Sequence, residues 1–403
     1  MNTQKVLHIS FSSTGGAGKF AKRLQEHQLL AGLGSAFLSF NEGGLTKSLI
    51  SHPKLFAAGA LDFGLVRADI RKPLFSLLRD YIELLGNEKK IDSKTVIHLH
   101  WTPGVVSHDS ISELLATHKV VWTLHDMFPI TGGCHHSLDC VKYESLCEKC
   151  PQVRSIFRSR VENDHKRKIK SSEFFENLTV VSPSLWLAEK AKASSIMSRA
   201  KVLHIPNAID GDIFSPIQIS EEEIISSLKN RIVFGLCATD LSDKNKNIDG
   251  AILAINAVAK KFPNKIFKLI VIGSNFKKYL VQNNVSISEQ GSVGSDSQLA
   301  DLYQKMDVFI NPSFRENFPT TVQEALATGV PCVAWDSGGT SELIHNDENG
   351  ILVSTIEELE DALSLFCDPK YAMELKLKTR RGAKFISNYA SCVEAYNYAY
   401  DFR

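Results

Sequence analysis

The stretch Val308-Phe309-Ile310-Asn311-Pro312-Ser313-Phe314-Arg315-Glu316-Asn317-Phe318-Pro319-Thr320-Thr321-Val322-Gln323-Glu324-Ala325-Leu326-Ala327-Thr328-Gly329-Val330-Pro331-Cys332-Val333-Ala334-Trp335 reads as strand, loop, helix and strand. Short β-rich runs at 308–311 and 332–335 enclose a helical run that starts near Thr320. The same alternation fills the rest of the chain. In the first half the strand candidates are 6–11, 36–40, 96–100, 120–124, 178–181 and 202–205, with helical runs such as 18–30 and 184–194 between them. The second half begins again with a strand at 231–237, a helix at 247–261 and a strand at 269–273. Alternation of this kind predicts an α/β architecture built on parallel sheets.

A chain of 403 residues suits two domains of about 200 residues each. A turn-rich stretch, Pro206-Asn207-Ala208-Ile209-Asp210-Gly211, and an acidic run, Glu221-Glu222-Glu223, fall within 206–230, where the linker is placed. The expected domains are 1–205 and 206–385, with a helical segment 386–403 packing back on the first. Two Rossmann-like domains facing across a cleft predict a ligand beyond the carboxyl ends of their strands.

Composition narrows the partners. With 43% hydrophobic and 23% charged residues the chain is globular, and a net charge of +1 gives no general attraction to nucleic acid. No run reaches the roughly 18 apolar residues of a spanning helix. The start leads directly into Val6-Leu7-His8-Ile9 and not into a signal-peptide core. Four of the eight cysteines crowd between 134 and 150, while Cys237, Cys332, Cys367 and Cys392 are scattered. That distribution reads as a reducing, cytoplasmic compartment. The apolar stretch 53–86, with Arg67, Arg71, Lys72 and Arg79, and the basic run 154–170 suit either a membrane surface at its inner face or ordinary amphipathic helices.

Glu316 stands in the loop before the helix and Glu324 one turn inside it, so both can face one side. The amides from Phe318 to Thr321 form a helix N-terminus, which suits a diphosphate. Carboxylates beside it can accept hydrogen bonds from sugar and ribose hydroxyls. Taken alone, two glutamates at this spacing read as a helix cap, Glu316, and a solvated surface residue, Glu324.

The whole string closely resembles the Glu-x7-Glu signature of the retaining family-four glycosyltransferases, which have the GT-B fold. The resemblance implies that Glu316, Asn317, Phe318, Pro319, Thr320, Thr321 and Glu324 bind a nucleotide diphosphate sugar. Gly15 and Gly16, in Ser12-Ser13-Thr14-Gly15-Gly16-Ala17-Gly18, look like the family's N-terminal glycine loop. Thr123-Leu124-His125-Asp126-Met127-Phe128-Pro129 looks like its histidine segment, with His125 touching the donor sugar. Ile205-Pro206-Asn207-Ala208-Ile209-Asp210 resembles the interdomain stretch, with Ala208 in place of the usual glycine. Gly291-Ser292-Val293-Gly294 resembles the loop that reads the base, and Ser337-Gly338-Gly339-Thr340-Ser341-Glu342 resembles a loop near the phosphates.

The family's arginine and lysine on the diphosphate are matched in part. Lys246 stands at the lysine, whereas Asp240 or Leu241 occupies the arginine's place, and Lys244 is a candidate for the second cation. The resemblance therefore implies catalysis by His125, Glu316 and Lys246, with no cofactor required. The substrates would be a UDP- or GDP-sugar and a glycan or polyprenyl-linked acceptor in O-antigen or capsule synthesis. The absent arginine leaves a catalytically inactive partner subunit as one alternative, and an epimerase or hydrolase of the same fold as another. The loop 132–151 places Cys134, Cys140, Cys147 and Cys150 at x5, x6 and x2 spacings. They can hold a structural zinc, with His135 or His136 as a substitute ligand, or stand as free thiols.

Overall fold

The computed structural model describes residues 5–40, 91–386 and 388–402. It divides into two units, Met1–Asn207 with Tyr389–Arg403, and Ala208–Asn388. The stretch 53–86 lies outside the described residues.

The first unit holds six parallel strands: β1 (Lys5–Ser10), β2 (Gly34–Ser39), β3 (Thr95–Leu99), β4 (Val120–Thr123), β5 (Thr179–Ser182) and β6 (Lys201–His204). Their order is β2-β1-β3-β4-β5-β6. Every residue of β3, β4 and β5 is buried, as expected of a parallel sheet covered on both faces. Ile97, Leu99, Trp122 and Val180 form the centre of its core, and burying a side chain such as Leu99 contributes about 1.5–3 kcal/mol.

Among the described residues, the helices α1 (Gly15–Leu30), α2 (His108–Leu115), α3 (Arg158–Ser171) and α4 (Leu185–Ala193) follow or precede these strands. Ser107 and Ser184 cap α2 and α4 by accepting from Ser110 N–H and Leu187 N–H. Most of the basic run 154–170 lies on α3, and its charges are largely committed. Arg160 pairs with Asp164, Lys166 with Glu162, and Arg167 with Asp109. Lys168 turns inward. Its Nζ donates to Phe128 O at 2.8 Å and Thr131 O at 2.9 Å and lies 4.0 Å from the Phe128 ring centre. Burial pushes its pKa down to about 8, and its bonds pin the turn that follows β4.

The second unit repeats the plan with β7 (Arg231–Asp240), β8 (Ile266–Ser274), β9 (Val285–Gly291), β10 (Val308–Asn311), β11 (Cys332–Trp335) and β12 (Gly350–Val353). The strands are parallel in the order β12-β11-β10-β7-β8-β9. Its helices are α5 (Glu221–Leu228), α6 (Ile248–Lys261), α7 (Asp296–Gln304), α8 (Thr320–Ala327), α9 (Ile356–Leu365) and α10 (Pro369–Gly382). A capping box of Ser220 and Glu223 starts α5. The chain then returns to the first unit as α11 (Tyr389–Ala399), whose buried face is Tyr389, Cys392, Val393, Tyr396 and Ala399. Tyr389 stacks on His27 of α1 at 4.2 Å. No helix among the described residues is long and apolar enough to cross a membrane.

These are two Rossmann-like parallel-sheet domains, the architecture expected of GT-B. Strands 308–311 and 332–335 fall where the sequence places them. β9 and β12, which the sequence reading does not contain, complete the second sheet.

A buried ion pair anchors the strand that leads into Glu316. Lys376 Nζ of α10 donates to Asp307 Oδ1 at 3.1 Å and to Met306 O at 3.0 Å, while Asp307 Oδ2 accepts from Val233 N–H at 2.8 Å. Asp307→Ala leaves a buried ammonium without its carboxylate and is expected to destabilise the protein by about 3–5 kcal/mol in urea unfolding. Adding Lys376→Met should recover part of that loss. A double variant as unstable as the single one would show that the pair is not what fixes this corner.

Candidate functional site

In the second sheet the strand order reverses between β7 and β10, so the loops after these two strands diverge and leave a crevice at their carboxyl ends. Both loops carry charged residues. After β7, Asp243 accepts from Asn245 N–H and starts a 3-10 turn, Lys244–Lys246; Asn247 then takes a left-handed φ of 48° before α6. After β10, the chain runs through Glu316 to α8. Two bonds stitch the loops together: Phe314 N–H donates to Asn245 O, and Asn245 Nδ2 to Arg315 O, each at 2.9 Å. Lys246 Nζ thereby meets Glu316 Oε1 at 2.7 Å. Burial works against the charge on Lys246, but Glu316 outweighs it and holds its pKa above the ordinary lysine value.

Glu324 lies on α8, buried, and accepts from Tyr303 O–H of α7 at 3.1 Å. Thr320 and Glu324 are four apart and share a helix face. Pro319 begins α8 and no side chain caps it. Asn317 and Pro319 are buried, while Phe318 packs half-buried against a core that includes Val322 and Leu326. Thr320 and Thr321 are half-buried. Two further expected site residues are Lys244 and Val293. Lys244 is exposed, with Nζ 3.7 Å from Asp249 Oδ2, and Lys277 takes the other oxygen of Asp249 at 2.6 Å. Val293 sits half-buried between β9 and α7.

In the first sheet the reversal lies between β1 and β3. Gly15 opens α1 with φ +73°, a left-handed value that favours glycine. A Cβ on Gly16 would meet nothing within 4 Å, whereas one on Gly18 would fall 2.2 Å from Ser12 O. Packing therefore demands Gly18, while Gly16 leaves open space. His125 follows β4, half-buried, with Nε2 3.2 Å from His100 Nδ1. Desolvation holds its pKa down to about 4, despite the neighbouring charge of Asp126.

Asp126 points elsewhere. Its Oδ2 meets His135 Nδ1 at 2.6 Å and accepts from Trp101 Nε1 at 2.7 Å, while Oδ1 accepts from Phe128 N–H at 2.8 Å. Burial opposes its charge, but His135 and these hydrogen bonds outweigh it and lower the pKa to about 2.

The loop 132–151 gathers Cys134, Cys140, Cys147 and Cys150, all without disulfides, in one electrostatic neighbourhood. Cys147 Sγ accepts from Gly132 N–H at 3.3 Å. Burial pushes the Cys134 and Cys150 thiols up, and that of Cys147 to about 11. Zinc–sulfur bonds of about 2.3 Å would place tetrahedral thiolates roughly 3.8 Å apart. Among the described residues, the group whose ligand atoms lie within 4.8 Å of one another is His8, His98 and His100, not the cysteines. An ion would have to draw the thiols together. Sequence reasoning missed the histidine trio, although His98 and His100, two apart at a strand's end, carried a signal.

Residues 233–368 match the family described as glycosyl transferases group 1. The chain is 23% identical over 367 residues to an Escherichia coli K12 protein named for colanic acid biosynthesis glycosyl transfer, WcaC, covering 86% of each. It is 25% identical over 178 residues, 42% of this chain and 46% of the relative, to an Escherichia coli UDP-Gal:alpha-D-GlcNAc-diphosphoundecaprenol alpha-1,3-galactosyltransferase. The fold matches sucrose-phosphate synthase of Thermosynechococcus elongatus with a TM-score of 0.62 at 16% identity, covering 99% of this chain and 98% of that one. The chain is thus similar to group 1 glycosyl transferases over 233–368, and to relatives named for surface polysaccharide synthesis.

Asp126 offers a pH test of this geometry. Its folded pKa lies below the ordinary 3.8, so its stabilisation is present above that value and is lost as pH falls toward about 2. Asp126→Asn is expected to cost about 1–3 kcal/mol at neutral pH. In urea unfolding across a pH series, the gap to the wild type should narrow between pH 4 and 2. A gap independent of pH would refute the assignment.

Proposed function

We propose that this chain is a group 1 glycosyltransferase and a retaining hexosyltransferase, moving a sugar from a UDP- or GDP-sugar to a glycan or polyprenyl-linked acceptor in surface polysaccharide synthesis. The observation that carries this reading is the Lys246–Glu316 pair, at 2.7 Å, on the two loops that flank the strand-order reversal. A donor entering there sets its diphosphate against an ammonium and its sugar hydroxyls against a carboxylate. The relatives named for colanic acid and for a diphosphoundecaprenol acceptor support the acceptor class. Contact with the membrane's inner face would come from 53–86 and 154–170.

Each residue then has a role. Lys246 and the amides at the start of α8 stabilise charge as the diphosphate leaves; charge-assisted bonds contribute about 1.5–3 kcal/mol each. Glu316 holds donor-sugar hydroxyls and Glu324 the ribose, while His125 contacts the sugar near its anomeric carbon. The acceptor oxygen attacks that carbon on the face the phosphate leaves. The carbon–phosphate oxygen bond breaks, and the acceptor's proton passes to the departing phosphate. Lys244, exposed beside Asp249, serves at most as an outer cation for the phosphates.

Glu324→Ala is expected to weaken nucleotide diphosphate binding by roughly 10- to 100-fold in calorimetry, because the ribose loses a charged acceptor. Glu316→Ala should lower kcat more than it weakens nucleotide affinity. Transfer and binding unchanged in both variants would sink the site. Release of free sugar with no glycoside, even with acceptors present, would favour a hydrolase.

We also propose that Cys134, Cys140, Cys147 and Cys150 hold one structural zinc, since none is in a disulfide and both Cys147 and Cys150 accept backbone N–H groups. Elemental analysis of protein prepared without chelator should find about one zinc per chain, and chelation should lower the melting temperature of the protein. Metal-free protein with four titratable thiols and unchanged melting would leave the loop a thiol cluster.

A further inference from the structure

His8 of β1 pairs in register with His98 of β3, and His100 lies two residues beyond His98 on the same side. All three are buried, at most 1% exposed. Although their nitrogens lie close enough to suggest an ion, all six already have hydrogen-bond partners. The direction of each bond follows from one end. Gln28 Nε2 donates to Tyr400 Oη at 2.9 Å, so Gln28 Oε1 faces Ser35 Oγ and His8 Nε2, each at 2.8 Å. A carbonyl oxygen only accepts, so His8 carries its proton on Nε2.

Burial holds these imidazoles neutral, with the pKa of His8 pushed down to about 4. His8 Nδ1 is therefore unprotonated and accepts from His100 Nε2–H at 2.9 Å. His100 Nδ1, unprotonated in turn, accepts from His125 Nε2–H at 3.2 Å. A side branch agrees with this direction. Tyr400, having accepted from Gln28, donates its O–H to His98 Nδ1 at 2.8 Å, and His98 Nε2–H donates to Thr123 Oγ1 at 2.8 Å.

We propose that Gln28, His8 and His100 form a positioning relay that fixes His125 with its proton on Nε2 and an unprotonated Nδ1. His125 then meets a sugar hydroxyl as an acceptor at Nδ1. The last statement rests on the donor-site reading of His125; the relay itself does not. Gln28, His8 and His100 are positioning residues with no contact to substrate.

The test uses the full chain with 15N-labelled histidine and long-range 1H–15N correlation spectra, the His125 signals being assigned by their loss in His125→Asn. In the wild type, His125 should show a protonated Nε2 and an unprotonated Nδ1. A protonated Nδ1 on neutral His125 overturns the relay, whether or not any variant folds. His8→Asn places an amide oxygen where Nδ1 stood, and should keep the tautomer and the transfer rate. His8→Leu removes the acceptor; it should mix the tautomers and lower kcat roughly tenfold or more, with nucleotide diphosphate Kd unchanged. If the tautomer follows these variants but kcat does not, the relay stands and His125 loses its place at the donor sugar. If both His8 variants leave the tautomer intact, the relay is overturned.

Discussion

A parallel sheet sends the carboxyl ends of all its strands to one edge, and where the strand order reverses the loops part. Both units of this protein obey that constraint, and their candidate residues lie around it. In the second sheet the reversal separates β7 from β10, and the loops after them supply Lys246 and Glu316. In the first it separates β1 from β3; Gly15 follows one and His100 the other, with His125 after the next strand. Without the stitching bonds between Asn245, Phe314 and Arg315 the second pair of loops would part without bringing their charges together.

Burial of polar groups sets the second requirement. A buried donor or acceptor left unpaired costs about 1–3 kcal/mol, and the first unit buries His8, His98 and Thr123 of its sheet beside Gln28 of α1. Part of their satisfaction comes from the last residues of the chain. Tyr396 Oη bonds Thr123 Oγ1 at 2.8 Å, and Tyr400 Oη bridges Gln28 and His98. The final helix therefore supplies hydrogen-bond partners to the first sheet as well as an apolar face. Truncation before Tyr396 would leave several buried polar atoms open at once, a larger penalty than the lost apolar area alone suggests.

The fold was legible because buried parallel strands write themselves as short β-branched runs. Residues 308–310 and Cys332–Trp335 have no polar residue to blur them, and both strands are buried for most of their length. β9 escaped because Val-Ser-Ile-Ser-Glu-Gln-Gly is an edge strand, largely exposed, whose polar residues read as loop. β12 escaped because it has only four residues and begins with glycine. At the site, Lys246 and Glu316 could be named from their local strings, but their contact could not, because it joins loops 70 residues apart. The histidine network was harder still. His98 and His100 look like alternate residues of any strand until the register sets His8 opposite His98, and register is a property of the folded sheet alone.

The two units offer different electrostatics. In the second, Glu316 keeps Lys246 charged in a partly buried place, where a charge interacts more strongly than it would in water. In the first, His100 and His125 are held neutral by burial, and Asp126, the acidic group next to His125, is spent on Trp101, His135 and the Phe128 amide. An anionic group therefore gains more beside Lys246 than beside His125, whereas an uncharged hydroxyl gains from a neutral imidazole without having to desolvate a counter-charge. A nucleotide diphosphate sugar carries both kinds of group, its charge at the phosphates and its hydroxyls on the sugar. Neutrality at His125 is thus as much a part of the proposed chemistry as the charge at Lys246. A protonated imidazole would have no acceptor at Nδ1.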